Sequence, residues 1–133
     1  MTGRQLLLLG TSLVASFLFP AQRSADAESA EGPIVRMAEL EIDPGQLDAY
    51  KLALKEEIAT SIRVEPGVLT LYAVSVKQHP EQIRLFETYR DAVAYESHLQ
   101  SPHFKKYKSR TQQMVKHLRL VETEPILLGS KSR

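Results

Sequence analysis

The period of the hydrophobic pattern changes several times along this chain, and each change marks an element. From Ile34 to Ile42, "IVRMAELEI", β-branched and apolar residues interleave with charged ones, which predicts a strand. Asp43-Pro44-Gly45 is turn chemistry, because proline presets one dihedral and glycine permits the reversal. From Gln46 to Val64 the period becomes helical. Leu47, Tyr50, Leu54, Ile58 and Ile62 form the apolar stripe, with Lys51, Lys55, Glu56 and Glu57 expected mostly on the other side. Glu65-Pro66-Gly67 ends this helix. Val68–Lys77 predicts a second strand, residues 78–82 a turn, and Ile83–Arg90 a third strand. In that third strand Ile83, Leu85, Glu87 and Tyr89 share one face. Asp91 caps a short helix over 92–100, and Ser101-Pro102 restarts one, serine as cap and proline in the first turn. Its stripe is Phe104, Tyr107, Thr111, Met114 and Leu118. The last strand is expected over 118–128, with Pro125 placing its end at a sheet edge.

The order β-α-β-β-α-β predicts an α+β, ferredoxin-like unit with an antiparallel sheet. Helices cover one face of such a sheet. The strands carry apolar residues on both faces, so a second copy is the expected partner of the other face, giving a homodimer.

Composition supports one domain over residues 34–128: the chain has 133 residues, 43% of them hydrophobic. The 17 basic and 16 acidic side chains form no run of one sign, so neither nucleic acid nor an anionic membrane is an expected partner. Residues 1–27 have the three regions of a secretory signal peptide: a charged start, the apolar "LLLLGTSLVASFLF", and the small-x-small end Ala25-Asp26-Ala27. The apolar run, at about 14 residues, is short beside the ~20 of a membrane span, although an uncleaved anchor is the other reading. Cleavage after Ala27 would leave a lead-in at 28–33, a tail at 129–133, and a periplasmic or secreted protein with no membrane attachment. The absence of cysteine excludes disulfides, thiolate chemistry and thiolate metal sites.

Glu87 is the first chemical anomaly, a carboxylate mid-strand on a face that reads as buried, with Tyr89 beside it. His98 shares a helix face with Ala94, and if that face points inward His98 comes near Glu87. A Glu-His pair positions an imidazole for general base work; a Glu-His-Tyr cluster can equally be a satisfied structural network. His98 and His103 flank Ser101-Pro102 and have no obvious carboxylate or cysteine cluster, so no metal site is expected. His103 is a candidate pocket wall, while His79 and His117 have no evident partner. Arg36 reads as lining either a cavity or a subunit face, and Tyr72 as core or pocket lining. Phosphate-cradling loops, dinucleotide fingerprints and Gly-x-Ser-x-Gly elbows are all missing, so nucleotide, flavin and serine-hydrolase chemistry lack support.

The stretch "FETYRDAVAYESHLQSPHFKKY" resembles the antibiotic biosynthesis monooxygenase family, and within it the small quinol monooxygenase-like proteins. The matching positions are Glu87, Tyr89, Ala94, His98, Ser101, Pro102, His103 and Phe104, with "MAELEIDPGQLDAY" and "EPGVLTLYAV" resembling earlier junctions. The resemblance covers roughly residues 34–127. It implies a dimeric α/β barrel and oxygenation of quinols or polyphenols by dioxygen with no metal, flavin or haem cofactor. His98 would be the base or orienting group supported by Glu87 and Tyr89. His103, Phe104 and Tyr72 would line the pocket, and Arg36, from its own place in the first strand, is a further candidate for substrate contact. Haem degradation is not expected, because the chain has no tryptophan, its first strand has no asparagine, and Lys108 stands near the place of the haem ligand. The resemblance also leaves open a small-metabolite isomerase, or a non-catalytic module that binds a small ligand in the same pocket.

Overall fold

The computed structural model describes residues 32–131. The expected signal peptide, residues 28–31 of the lead-in and residues 132–133 of the expected tail lie outside the described residues. The elements run β1 (Ile34–Ile42), α1 (Leu47–Val64), β2 (Val68–Val76), β3 (His79–Tyr89), α2 (Ala92–Gln100), α3 (Pro102–Thr111) and β4 (Val115–Thr123). The strands make one antiparallel sheet in the order β2-β3-β1-β4, the ferredoxin-like arrangement.

Local chemistry explains the punctuation. The Asp43 side chain accepts from Gly45 N and a single 3₁₀ turn, Pro44–Gln46, leads into α1. Asp91 caps α2 by accepting from Ala94 N at 2.7 Å. Ser101 Oγ donates to the His98 carbonyl at 2.7 Å and accepts from Phe104 N at 3.3 Å, so one hydroxyl ends α2 and starts α3. Gly67 is required by packing: a Cβ there would lie 2.4 Å from Ala94 Cβ. That close approach seats α2 on the start of β2.

The core lies between the sheet and the helices. Ala38, Leu40, Ile42 and Ile83 meet Tyr50, Ala53, Leu54 and Tyr107, and Val68, Leu71 and Tyr89 meet Ala94. The opposite face carries Met37, Phe86, Tyr72 and Val74.

Four expectations need correction. The hairpin between β2 and β3 turns on Lys77 and Gln78 alone, so β3 begins at His79 rather than Ile83. β4 begins at Val115, because Met114 N closes a turn onto the Thr111 carbonyl at 2.8 Å; Leu118 is therefore in a strand, and Pro125 lies beyond it. On α1, Ile62 is half exposed and Glu57 is buried, because the inward stripe is Tyr50, Ala53, Leu54, Glu57 and Ser61. Tyr72, 67% exposed, is on the face away from the helices. A bulge causes this last change: Val68 pairs with Tyr89 but Thr70 pairs with Thr88, which reverses the alternation. Leu71 and Ala73 consequently face inward, beside Glu87 and Leu85, and Tyr72 faces outward beside Phe86.

Candidate functional site

His98 is at the centre of a buried cluster, with 2% of its surface exposed. α2 carries it inward beside Ala94, as the shared helix face predicts. The Tyr89 ring lies 5.3 Å from the imidazole and the Phe104 ring 4.9 Å from it, between centroids. His103, from the first turn of α3, is 6.3 Å away.

The carboxylates that reach His98 are not the expected one. His98 Nδ1 is 2.9 Å from Glu65 Oε1, and His98 Nε2 is 3.6 Å from Glu57 Oε1. His103 Nε2 bonds the same Glu65 oxygen. The direct Glu87–His98 pairing is thereby corrected: the Glu87 carboxylate accepts instead from Tyr89 OH at 2.8 Å. Glu87 joins the cluster through Tyr89, whose ring abuts the imidazole. Arg36 faces Glu87 across β1–β3. It donates to Tyr95 OH at 2.9 Å and to Glu122 at 2.7 Å, and its guanidinium stacks 4.4 Å from the Tyr95 ring centroid. It thus borders the cluster through Tyr95, while Tyr72 is on the far side of the sheet.

Sequence reading missed Glu57, Ser61 and Glu65. A signal for the first two exists: Tyr50, Leu54, Glu57 and Ser61 follow the 4-3-4 spacing of one helical stripe. Glu65 is hidden in a segment that reads as a helix stop.

The electrostatics set the proton positions. Burial would raise the Glu65 carboxyl, but its hydrogen bonds with His98 and His103 outweigh this and hold it below the usual range. Ionised Glu65 only accepts, so His98 Nδ1 carries a proton. A neutral His98 then presents the Nε2 lone pair toward Glu57. Burial pushes the Glu57 carboxyl up, against the Ser61 Oγ–H bond of 2.7 Å and the nearby imidazoles. Glu57 and His103 also line a cleft of about 360 Å³ between α1 and α3, rimmed by Glu56, Lys106 and Arg110, which leads from solvent to the cluster.

Burial likewise raises Glu87, opposed by the Tyr89 hydrogen bond and the nearby His98 and Arg36 side chains and reinforced by Glu57. A carboxyl raised in the fold contributes stability below its unfolded value, about 4.3, and loses it as pH rises through the folded value. Glu87→Gln removes that loss. Its melting temperature relative to wild type is expected to climb as pH rises above about 4.3. A difference that stays constant across paired thermal melts would contradict this.

The model of the antibiotic biosynthesis monooxygenase family matches residues 33–110. A crystal structure of a candidate antibiotic biosynthesis monooxygenase from Bacteriodes thetaiotaomicron is 47% identical, covering 78% of this chain and 99% of its own, with a TM-score of 0.74. A protein of Mycobacterium tuberculosis, 22% identical over 74% of this chain and 100% of its own, superposes with a TM-score of 0.67 and speaks to the fold alone. An uncharacterised Synechocystis protein is 22% identical over 131 residues, 93% of this chain and 88% of its own.

Proposed function

Since this chain belongs to the antibiotic biosynthesis monooxygenase family, we propose that it is an exported, cofactor-independent monooxygenase of quinol-like or polyphenolic molecules, with His98 as its general base. The observation that carries this reading is the buried imidazole held at Nδ1 by Glu65 between the rings of Tyr89 and Phe104. A phenol entering past Glu57 and His103 would give its proton to His98 Nε2, and Glu65 would stabilise the resulting imidazolium. The electron-rich anion can itself reduce dioxygen. One oxygen atom enters the ring, the other leaves as water, and the substrate supplies all four electrons. The aromatic wall orients the ring and keeps water from the anion.

Two further parts of the proposal rest on other features. Residues 1–27 read as a signal peptide, which favours a periplasmic or secreted setting. The helix-free sheet face exposes Tyr72 and Val74 beside Met37 and Phe86, and a second copy of the sheet would cover it in a homodimer.

The test is oxygen uptake by chelator-treated protein over a panel of hydroquinones under ¹⁸O₂. Uptake above the spontaneous rate, with one labelled atom in the product, is the expected result. A folded protein that consumes no oxygen with any quinol would move the site to the isomerase or ligand-binding reading. Peroxide without label in the product would mean oxidation rather than oxygenation.

A further inference from the structure

We infer that Glu57, His98 and His103 form a binding site for one divalent transition-metal ion of the zinc class. One ligand atom from each of the three side chains lies within 4.8 Å of the other two. Two imidazoles and one carboxylate are a donor set that suits such ions and leaves a position open. The spacing fits. His98 Nε2 and Glu57 Oε1 are 3.6 Å apart, beyond hydrogen-bonding distance. Two donors on a tetrahedral ion with bonds of about 2.1 Å are about 3.4 Å apart. The surroundings fit as well. Glu65 holds His98 Nδ1 at 2.9 Å and Ser61 Oγ holds Glu57 at 2.7 Å, the outer partners that orient metal ligands.

Charge points the same way. Glu56, on the adjacent surface, is neutralised by Lys106 and Arg110. Among the described residues neither Glu57 nor Glu65 has a lysine or arginine partner; the ion pairs of each are with histidine alone. The cleft lined by Glu57 and His103 gives an ion access from solvent. This site does not depend on the monooxygenase reading. A bound ion would occupy the lone pair that reading assigns to the base.

The experiment is titration of the chelator-stripped, purified chain with Co²⁺, followed by its visible d–d absorption and by displacement with Zn²⁺. One ion per chain is expected, with bands of a four- or five-coordinate site. Affinity should fall about 10-fold or more in His103→Ala and in Glu57→Gln, and stay unchanged in His79→Ala, which alters an exposed histidine outside the cluster. Circular dichroism checks that each variant folds. If neither does, long-range ¹H–¹⁵N spectra of the wild-type imidazoles decide: Zn²⁺ should shift His98 and His103 and leave His79 and His117 in place. No saturable binding up to about millimolar Co²⁺, undiminished binding in both variants, or shifts confined to His79 and His117 would overturn the site. Because the readout is metal occupancy, its failure is separate from any failure to consume oxygen.

Discussion

His98→Ala is expected to lower quinol-dependent oxygen uptake by about 10²–10⁴-fold, the usual contribution of a positioned base. Glu65→Gln should fall within the same range while preserving the volume of the side chain. The reason is the proton inventory of the cluster. Ionised Glu65 accepts from both His98 Nδ1 and His103 Nε2. A glutamine amide can donate to Nδ1, which puts the imidazole proton on Nε2 and removes the lone pair from the substrate side. It also removes the charge that stabilises the imidazolium. The loss should therefore fall on kcat more than on KM. Oxygen-electrode kinetics on the folded variants check this. A Glu65→Gln protein with wild-type kcat would reduce Glu65 to a structural role.

The second large effect concerns the support of the site. Tyr50 is fully buried, and its hydroxyl meets that of Tyr107 at 2.7 Å, joining α1 to α3. These two helices carry Glu57 and His103. Tyr50→Ala leaves a cavity and an unpartnered Tyr107 hydroxyl, and should cost about 3–5 kcal/mol, a large part of the stability of an ordinary domain. Tyr50→Phe removes one partner only and should cost about 1–3 kcal/mol. The double change Tyr50→Phe with Tyr107→Phe removes both hydroxyls and should recover part of that loss. Denaturant midpoints for the three proteins decide it. Additive losses would mean that the hydroxyl pair contributes nothing as a pair.

Periodicity made the element order readable, because each strand and helix keeps its own spacing for several repeats. Short-range chemistry made the caps readable: Asp91, Ser101 and Pro102 act on their immediate neighbours. The errors come from events that a local pattern does not carry. Nothing around Leu69 announces a bulge, yet one extra residue turns Tyr72 from the helix side of the sheet to the open side. The chemical cluster was half legible. His98, His103, Phe104 and Tyr89 do converge, because α2 folds back over β3 and α3 packs against α1 and α2. Glu87 stands on the inward face of β3 as the alternation predicts, but bonds Tyr89 rather than His98. The partners of His98 come from α1 and the residue after it, 41 and 33 positions earlier in the chain. Glu57 was obscured by a correct general tendency: a charged residue between Glu56 and Ile58 reads as solvated surface unless the stripe is followed through it.

The most direct measurement is the ultraviolet spectrum of a hydroquinone bound to the chelator-treated protein under nitrogen at neutral pH. Without oxygen, only binding and proton transfer remain. The spectrum of the quinolate anion, present with wild type and lost in His98→Ala while the ligand still binds, is the predicted result. A bound quinol that keeps its neutral spectrum in the wild-type protein would contradict His98 as the base.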